Sequence, residues 1–275
     1  MKTGRRESLR YIAAIAAGGA LGACGVLEQR ERLNFVLVHG AWHGPWCWDK
    51  LVPLLREQGH QVSAVDLQGG TPMEQRSLDS YARRVVEALD AHGGPAVLVG
   101  HSSGALCASQ AAEDRPDRVR SLVFLSAFVA LNGEAHRNLV GADPDQKLSP
   151  VLRVDFRPGT KIPAQTRLDV ANPQAVKLAL YNDCSDTDAR AAIARLVAEP
   201  AAPSAQPLRL TPERFGRIDR IYVHCRLDNA ISLGRQRQFA AKWPLRRSFT
   251  LESGHSPFLS MPAQLAQVLG SQLYA

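Results

Sequence analysis

The sequence predicts an α/β fold, with a mostly parallel six-stranded sheet flanked by helices and a helical cap inserted into it. From residue 34 onward, short apolar or β-branched runs alternate with amphipathic segments, which is typical of a parallel sheet covered on both faces. A length of 275 residues accommodates one such domain with an insertion. The content of 45% hydrophobic and 21% charged residues excludes a disordered protein or a multi-span membrane protein.

Six strands are expected from short runs rich in β-branched and apolar residues, at residues 35–38, 61–65, 96–99, 121–125, 221–224 and 248–251. The helices that would cover the sheet lie between them, at residues 48–58, 78–92, 105–114, 233–243 and 263–273. In the second of these helices, Tyr81, Val85 and Leu89 recur at four-residue spacing. One stripe of that helix can therefore face the sheet.

The alternation stops after Leu125 and resumes at Ile221, which predicts a cap insertion at about residues 131–217 of a domain covering residues 34–275. Two helical segments are expected in the cap, at residues 173–181 and 187–198. An alanine- and proline-rich stretch at residues 199–207 is expected to run extended, because each proline lacks an N–H and fixes φ.

The amino terminus has the layout of an export signal. Basic residues precede an apolar stretch that is too short to span a bilayer, and the pair Arg5-Arg6 resembles a twin-arginine signal. We expect residues 1–23 to be a signal peptide, Cys24 to be lipidated and attached to a membrane, and residues 24–33 to be a linker. The protein would then be exported in a bacterium, periplasmic or membrane-anchored. A plain cleaved signal, or a start site placed too far upstream, is the alternative.

Charge and cysteine content indicate no nucleic-acid or metal partner. The net charge of +7 comes from scattered basic residues without interleaved aromatics, which does not favour nucleic-acid binding. The four remaining cysteines match no metal-ligand spacing and are expected to be small buried hydrophobic residues, with disulfides as the alternative: Cys47, Cys107, Cys184 and Cys225. No cofactor is expected.

The segment Gly100-His101-Ser102-Ser103-Gly104 follows a hydrophobic strand and runs directly into a helix. A G-x-S-x-G motif in this context predicts a nucleophile elbow, in which the serine adopts a strained backbone and small residues allow strand and helix to approach closely. Ser102 would stand above the carboxyl edge of the sheet. The N–H groups of the helix that follows would favour a developing oxyanion there.

To act as a nucleophile, a serine hydroxyl needs a base that removes its proton and a second group that orients the base. Among eight histidines, only His255 lies in a loop between the last strand and the last helix, and His60 and His92 are expected to be exposed. Asp228 follows the fifth strand, which gives the chain order Ser, Asp, His. The position after the fourth strand offers Ser126 and no acid. Weaker candidates for the acid are Asp183 and Asp219.

The loop after the first strand should supply one half of an oxyanion hole. The backbone N–H groups of Ala41 and Ser103 are the natural pair, and Gly40 permits a close backbone approach. The side chains of Trp42 and His43 are expected to line the entrance of the active site.

Several segments together resemble the α/β-hydrolases that include plant methylesterases, plant hydroxynitrile lyases and bacterial esterases. These segments include FVLVHGAWHGPWCW, VLVGHSSGA and GHSPFLSMP. The resemblance implies an α/β-hydrolase fold, a catalytic triad of Ser102, Asp228 and His255, and an oxyanion hole formed by the amides of Ala41 and Ser103.

The resemblance also favours one chemistry within the group. Its lyases carry a threonine where this chain has Gly40 and a lysine where it has Ser256. Hydrolysis of a small or medium carboxylic ester through an acyl-enzyme is therefore expected. A hydroxynitrile lyase or carbon-carbon bond hydrolase using the same triad, and a ligand receptor without catalysis, are the alternatives.

Overall fold

A computed structural model describes residues 31–141 and 143–273. The strands are β1 (Asn34–Val38), β2 (Gln61–Val65), β3 (Ala96–His101), β4 (Val119–Leu125), β5 (Leu152–Phe156), β6 (Pro163–Leu168), β7 (Glu199–Pro200), β8 (Arg220–Cys225) and β9 (Arg247–Leu251). The α-helices are α1 (Leu51–Glu57), α2 (Leu78–Asp90), α3 (Gly104–Asp114), α4 (His136–Leu139), α5 (Pro173–Leu180), α6 (Asp186–Ile193), α7 (Ala201–Ala205), α8 (Leu233–Ala240), α9 (Pro257–Ser260) and α10 (Pro262–Gln267). The expected signal peptide and Cys24 lie outside the described residues.

The main sheet has six parallel strands in the order β2-β1-β3-β4-β8-β9, which confirms the predicted sheet. Successive strand residues pack into different clusters, as Leu37 and Val99 do on one face and Val36 and Leu98 on the other. Both faces are therefore covered, as the continuous apolar strands require. The carboxyl ends of β1, β3, β4 and β8 meet at one edge, where ligands bind in open α/β sheets.

The segment between β4 and β8 contains the helices expected of the cap and also a small antiparallel sheet in the order β5-β6-β7, which was not predicted. The strands of this sheet are largely exposed or half-buried. In β5, apolar residues alternate with charged ones, but Val154 and Phe156 are exposed, and β6 has no such alternation. A Pro158-Gly159 turn joins the two strands, with Gly159 at φ 69° and Thr160 N–H bonded to Arg157 O at 3.0 Å. The alternation in β5 and the turn dipeptide were the available signals.

The expected extended strap at residues 199–207 was wrong. After the short strand β7, residues Ala201–Ala205 form the helix α7. Pro203 stands at the third position of this helix, where the backbone N–H has no partner within the helix. A proline there removes no hydrogen bond, so it is compatible with a helix in the first turn.

The described part of the chain contains four free cysteines, and all are buried, as expected of small hydrophobic residues: Cys47, Cys107, Cys184 and Cys225. Over the same residues, no helix has the length and apolar character needed to cross a membrane. Within that range, no cluster of three or more His, Cys, Asp or Glu side chains could hold a metal ion.

Candidate active site

Ser102 lies between β3 and α3 with a backbone φ of 53°. This left-handed conformation is unusual for a residue other than glycine and marks a strained turn. Two hydrogen bonds hold the turn: Ser102 N–H donates to Leu125 O at 3.2 Å, and Phe128 N–H donates to Ser102 O at 3.3 Å. The strained backbone predicted for a nucleophile elbow is thus present.

The two glycines of the motif allow the strand and the helix to approach closely. A Cβ atom on Gly100 would lie 2.5 Å from Ala105 Cα, and one on Gly104 would lie 2.0 Å from His39 O. Neither site can accept a side chain without moving backbone. The spacing of small residues in the motif therefore reflects contacts on both sides of Ser102.

His255 and Asp228 form a buried pair at the same edge of the sheet, with Nδ1 of His255 2.7 Å from Oδ2 of Asp228. The other carboxylate oxygen, Oδ1, accepts the N–H groups of Ala230 at 2.6 Å and Ile231 at 2.9 Å. Because an ionised carboxylate only accepts, Nδ1 of His255 carries the proton and Nε2 keeps its lone pair. The pair thus has the orientation of a general base and its partner.

His101, the residue before Ser102, links the nucleophile turn to His255. Its Nε2 donates to His255 O at 2.9 Å, and the two rings have centroids 4.6 Å apart. Among the described residues, the hydroxyl of Ser102 forms no hydrogen bond with His255. The structure therefore places the three predicted side chains at one edge and joins two of them directly; such contacts often tighten only when substrate binds.

The predicted oxyanion donors are adjacent, but one of them is engaged. The N–H of Ala41 donates to Oγ of Ser103 at 2.9 Å. A Cβ on Gly40 would lie 2.8 Å from Ser102 Cβ, so the loop after β1 approaches the nucleophile as closely as its glycine allows. The N–H of Ala41 is therefore close to the nucleophile turn, where the Ser103 hydroxyl accepts its hydrogen bond.

His43 connects this loop to the cap instead of only walling an entrance. Its Nδ1 donates to Ala41 O at 2.8 Å, and its Nε2 accepts the hydroxyl of Tyr181 at 2.8 Å. Burial lowers the pKa of His43 to about 3, so the ring is neutral and one nitrogen can accept. Trp42, with φ 62°, donates from Nε1 to Oγ1 of Thr166 at 3.1 Å. Both side chains therefore fix the loop that carries Ala41.

The cap also reaches the loops that carry the acid and the base. Nδ2 of Asn182 donates to Leu227 O at 2.8 Å, beside Asp228. A Cβ on Gly254 would lie 2.1 Å from Oδ1 of Asn182 and 2.6 Å from Oδ1 of Asp183. Asp183, a weaker candidate for the acid, thus lies against the His255 loop, whereas the other, Asp219, pairs with Arg246 at 2.7 Å.

Glu199 is a carboxylate of the cap held against the core. Its Oε1 accepts the hydroxyl of Tyr81 at 3.0 Å, and its Oε2 accepts Nε2 of Gln68 at 2.8 Å. Burial raises the pKa of Glu199 to about 7, against the opposing effect of these hydrogen bonds. The group therefore titrates near neutral pH at the junction of cap and core.

Sequence reasoning missed one contact and misjudged two histidines. The hydroxyl of Ser126 donates to Oδ2 of Asp228. The identity of a single serine does not predict such a contact. The one available signal was its position directly after β4, at the carboxyl edge of the sheet. His60 and His92 are buried rather than exposed. His92 lies within hydrogen-bond distance of the Ser63 hydroxyl at 3.1 Å, and a satisfied ring can be buried at little cost.

Comparison with known proteins agrees with this architecture. A family model described as "Alpha/beta hydrolase family" matches residues 35–268. Salicylic acid-binding protein 2 of Nicotiana tabacum is 32% identical over 217 residues, which cover 74% of this chain and 82% of that protein. Methylesterase 11, a candidate chloroplastic methylesterase of Arabidopsis thaliana, is 30% identical over 253 residues and 88% of this chain.

The chain spans 64% of the length of the Arabidopsis protein. Among solved structures, a pyrethroid hydrolase from Sphingobium faniae JZ-2 superposes with a TM-score of 0.77 at 25% identity, covering 87% of this chain and 96% of that one. The family match extends from β1 to the carboxyl-terminal helical segment and includes every strand of the main sheet. This chain therefore belongs to the alpha/beta hydrolase family.

Proposed function

We propose that the protein is a serine hydrolase that cleaves small or medium carboxylic esters through an acyl-enzyme. One observation carries the proposal: a strained serine, Ser102, stands at the sheet edge beside a buried pair in which Nδ1 of His255 lies 2.7 Å from Asp228. The names of similar proteins, a methylesterase and a pyrethroid hydrolase, support an ester as substrate.

In the proposed mechanism, Nε2 of His255 takes the proton of Ser102 as Oγ attacks the ester carbonyl. The N–H groups of Ala41 and Ser103 stabilise the resulting oxyanion. When the carbon–oxygen bond to the leaving group breaks, His255 gives its proton to the departing alkoxide. Water then repeats the sequence on the acyl-enzyme, releasing the acid and regenerating Ser102. Asp228 holds the tautomer and stabilises the imidazolium.

The glycine at position 40 favours ester hydrolysis over cyanohydrin cleavage. The threonine that marks the lyases of this group would place its Cβ 2.8 Å from Ser102 Cβ if introduced at Gly40 without other changes. The backbone of this chain is therefore built for glycine at that position. Cyanide release from mandelonitrile is the measurement that would instead favour a lyase.

Replacing the nucleophile tests the proposal. Ser102→Ala should lower kcat/KM for p-nitrophenyl acetate by at least about 10³-fold, because the proposed acyl-enzyme forms on the Ser102 hydroxyl. Ser149→Ala, at an exposed serine of the cap, should leave activity unchanged. A fluorophosphonate probe should label the wild type and not the Ser102 variant.

Labelling elsewhere, or full activity of Ser102→Ala, would contradict the assignment of the nucleophile. Absence of both labelling and turnover in the wild type would favour a receptor without catalysis. A panel of esters in which the acyl and alcohol parts are varied separately would then define the substrate class.

A further inference from the structure

The carboxylate of Asp228 is surrounded by four hydrogen-bond donors. Two backbone N–H groups, from Ala230 and Ile231, hold Oδ1 at 2.6 and 2.9 Å. Nδ1 of His255 and the hydroxyl of Ser126 both donate to Oδ2. Two carboxylate oxygens offer about four lone-pair sites, so every site is used. The oxygen that orients the imidazole is itself held by Ser126.

Ser126 lies in an unusual backbone conformation to make this contact. It follows directly after β4, its φ is 39°, and it is fully buried. Its N–H donates to Val223 O at 2.9 Å, which fixes it beside β8, the strand that leads to Asp228. Left-handed backbone is unfavourable for serine and favours glycine, asparagine or aspartate. Such strain persists where the surrounding structure imposes it, commonly at functional sites.

We propose that Ser126 is a positioning residue of the hydrolytic site, whose hydroxyl fixes the Asp228 oxygen that orients His255. This rests on the proposed serine hydrolase mechanism. Because Oδ2 of Asp228 accepts from both Ser126 and His255, loss of the Ser126 hydroxyl would free the carboxylate to turn away from the imidazole.

The first test removes and then restores the donor. Ser126→Ala should lower kcat for p-nitrophenyl acetate about 10-fold, because a hydrogen bond to a charged group is lost, and should leave KM within about twofold, since Ser126 does not touch the substrate. Ser126→Cys keeps a side chain of similar length with a weak S–H donor, so it should recover part of kcat. Ser109→Ala removes another buried hydroxyl, which donates within α3 to Ala105 O at 2.8 Å, and serves as the control.

The second test is a double-mutant cycle. Asp228→Ala should lower kcat by about 10³- to 10⁴-fold. Adding Ser126→Ala to that variant should lower kcat no further, because the hydroxyl acts through the Asp228 carboxylate. A merely structural role for Ser126 would give the same further loss in both backgrounds.

The outcomes separate the inference from the proposed function. If Asp228→Ala is nearly inactive and Ser126→Ala keeps wild-type kcat, or if Ser126→Ala causes the same loss with and without Asp228, the role of Ser126 is overturned while the triad stands. If Asp228→Ala retains wild-type activity, the proposed acid is wrong and nothing remains for Ser126 to position. A loss in Ser126→Ala that is partly restored in Ser126→Cys and absent in the Asp228→Ala background supports the inference.

Discussion

At the scale of single residues, Ser103 has two roles that conflict in the free enzyme. Its N–H is a proposed oxyanion donor, and its hydroxyl accepts the N–H of the other donor, Ala41, at 2.9 Å. An ester oxygen that binds there must displace the hydroxyl. Since a hydrogen bond contributes about 0.5–1.5 kcal/mol net, this displacement opposes substrate binding by a similar amount.

Removing that hydroxyl should therefore improve the site. Ser103→Ala keeps the backbone N–H and frees the amide of Ala41, so kcat/KM for p-nitrophenyl acetate should rise about 2- to 10-fold. Ser103→Thr keeps a hydroxyl on helical backbone and should behave as the wild type. A fall in kcat/KM for Ser103→Ala would instead show that the hydroxyl turns and donates to the oxyanion.

At the scale of elements, the turn after α5 packs against the loop between β9 and α9. Gly254 lies directly before His255 and has no room for a Cβ, which would come within 2.1 Å of Oδ1 of Asn182. Its backbone is outside the left-handed region, so any effect of a side chain there comes from space alone. The contact therefore connects cap geometry to the position of the base.

A pair of substitutions can measure this contact. Gly254→Ala should destabilise the protein by about 1–3 kcal/mol through overpacking and lower kcat, and adding Asn182→Gly should restore part of both, because it removes the obstructing side chain. Thermal unfolding and kcat of the single and double variants give the coupling. Gly93→Ala, where a Cβ would meet nothing within 4 Å, is the control. Additive effects of the two changes would contradict a direct contact.

The same scale shows what could be predicted from the sequence. The central strands of the main sheet could be predicted because they are buried on both faces and are largely apolar, as in Val97, Leu98 and Val99, whereas the edge strands β2 and β9 are only partly buried. The hairpin of β5 and β6 could not, because only one of its short strands has an apolar alternation. The helix α7 was missed because a proline excludes the interior of a helix but not its first turn.

The residues of the candidate site also divide into those that a local sequence pattern predicts and those that it does not. Ser102 was predictable because its motif combines a strand, two glycines and a helix in a fixed spacing. Ser126 and Asn182 were not, because a polar residue in a loop acquires its role only from chain segments that fold against it. His43 was placed in the right loop, but its link to Tyr181 depends on cap packing that no local pattern encodes.

At the scale of the whole molecule, Glu199 couples the cap to the core in a way that depends on pH. Its pKa is raised by burial from 4.5 to about 7, so the folded state binds more protons than the unfolded state between these values. Stability contributed by this group is therefore present at low pH and is lost as pH rises from about 4.5 to about 7, with no further change above.

Glu199→Gln should remove this dependence because it mimics the neutral acid. Relative to the wild type, the variant should gain stability as pH rises from 5 to 8, by at most about 3 kcal/mol. Chemical denaturation of both proteins across that pH range measures the difference between their free energies of unfolding. The titration of all other groups contributes equally to both proteins and cancels in this difference. A difference that stays constant with pH would show that Glu199 is ionised throughout.

The contact of Asn182 and Asp183 with Gly254 affects how substrate specificity could be changed by exchanging caps between homologous enzymes. A cap grafted from a homologue would lack the side chains that pack against the loop of His255, so the new substrate-binding surface would be combined with a misaligned imidazole. Active chimeras of this protein therefore require that the cap and residues 252–256 be transplanted together from the same donor.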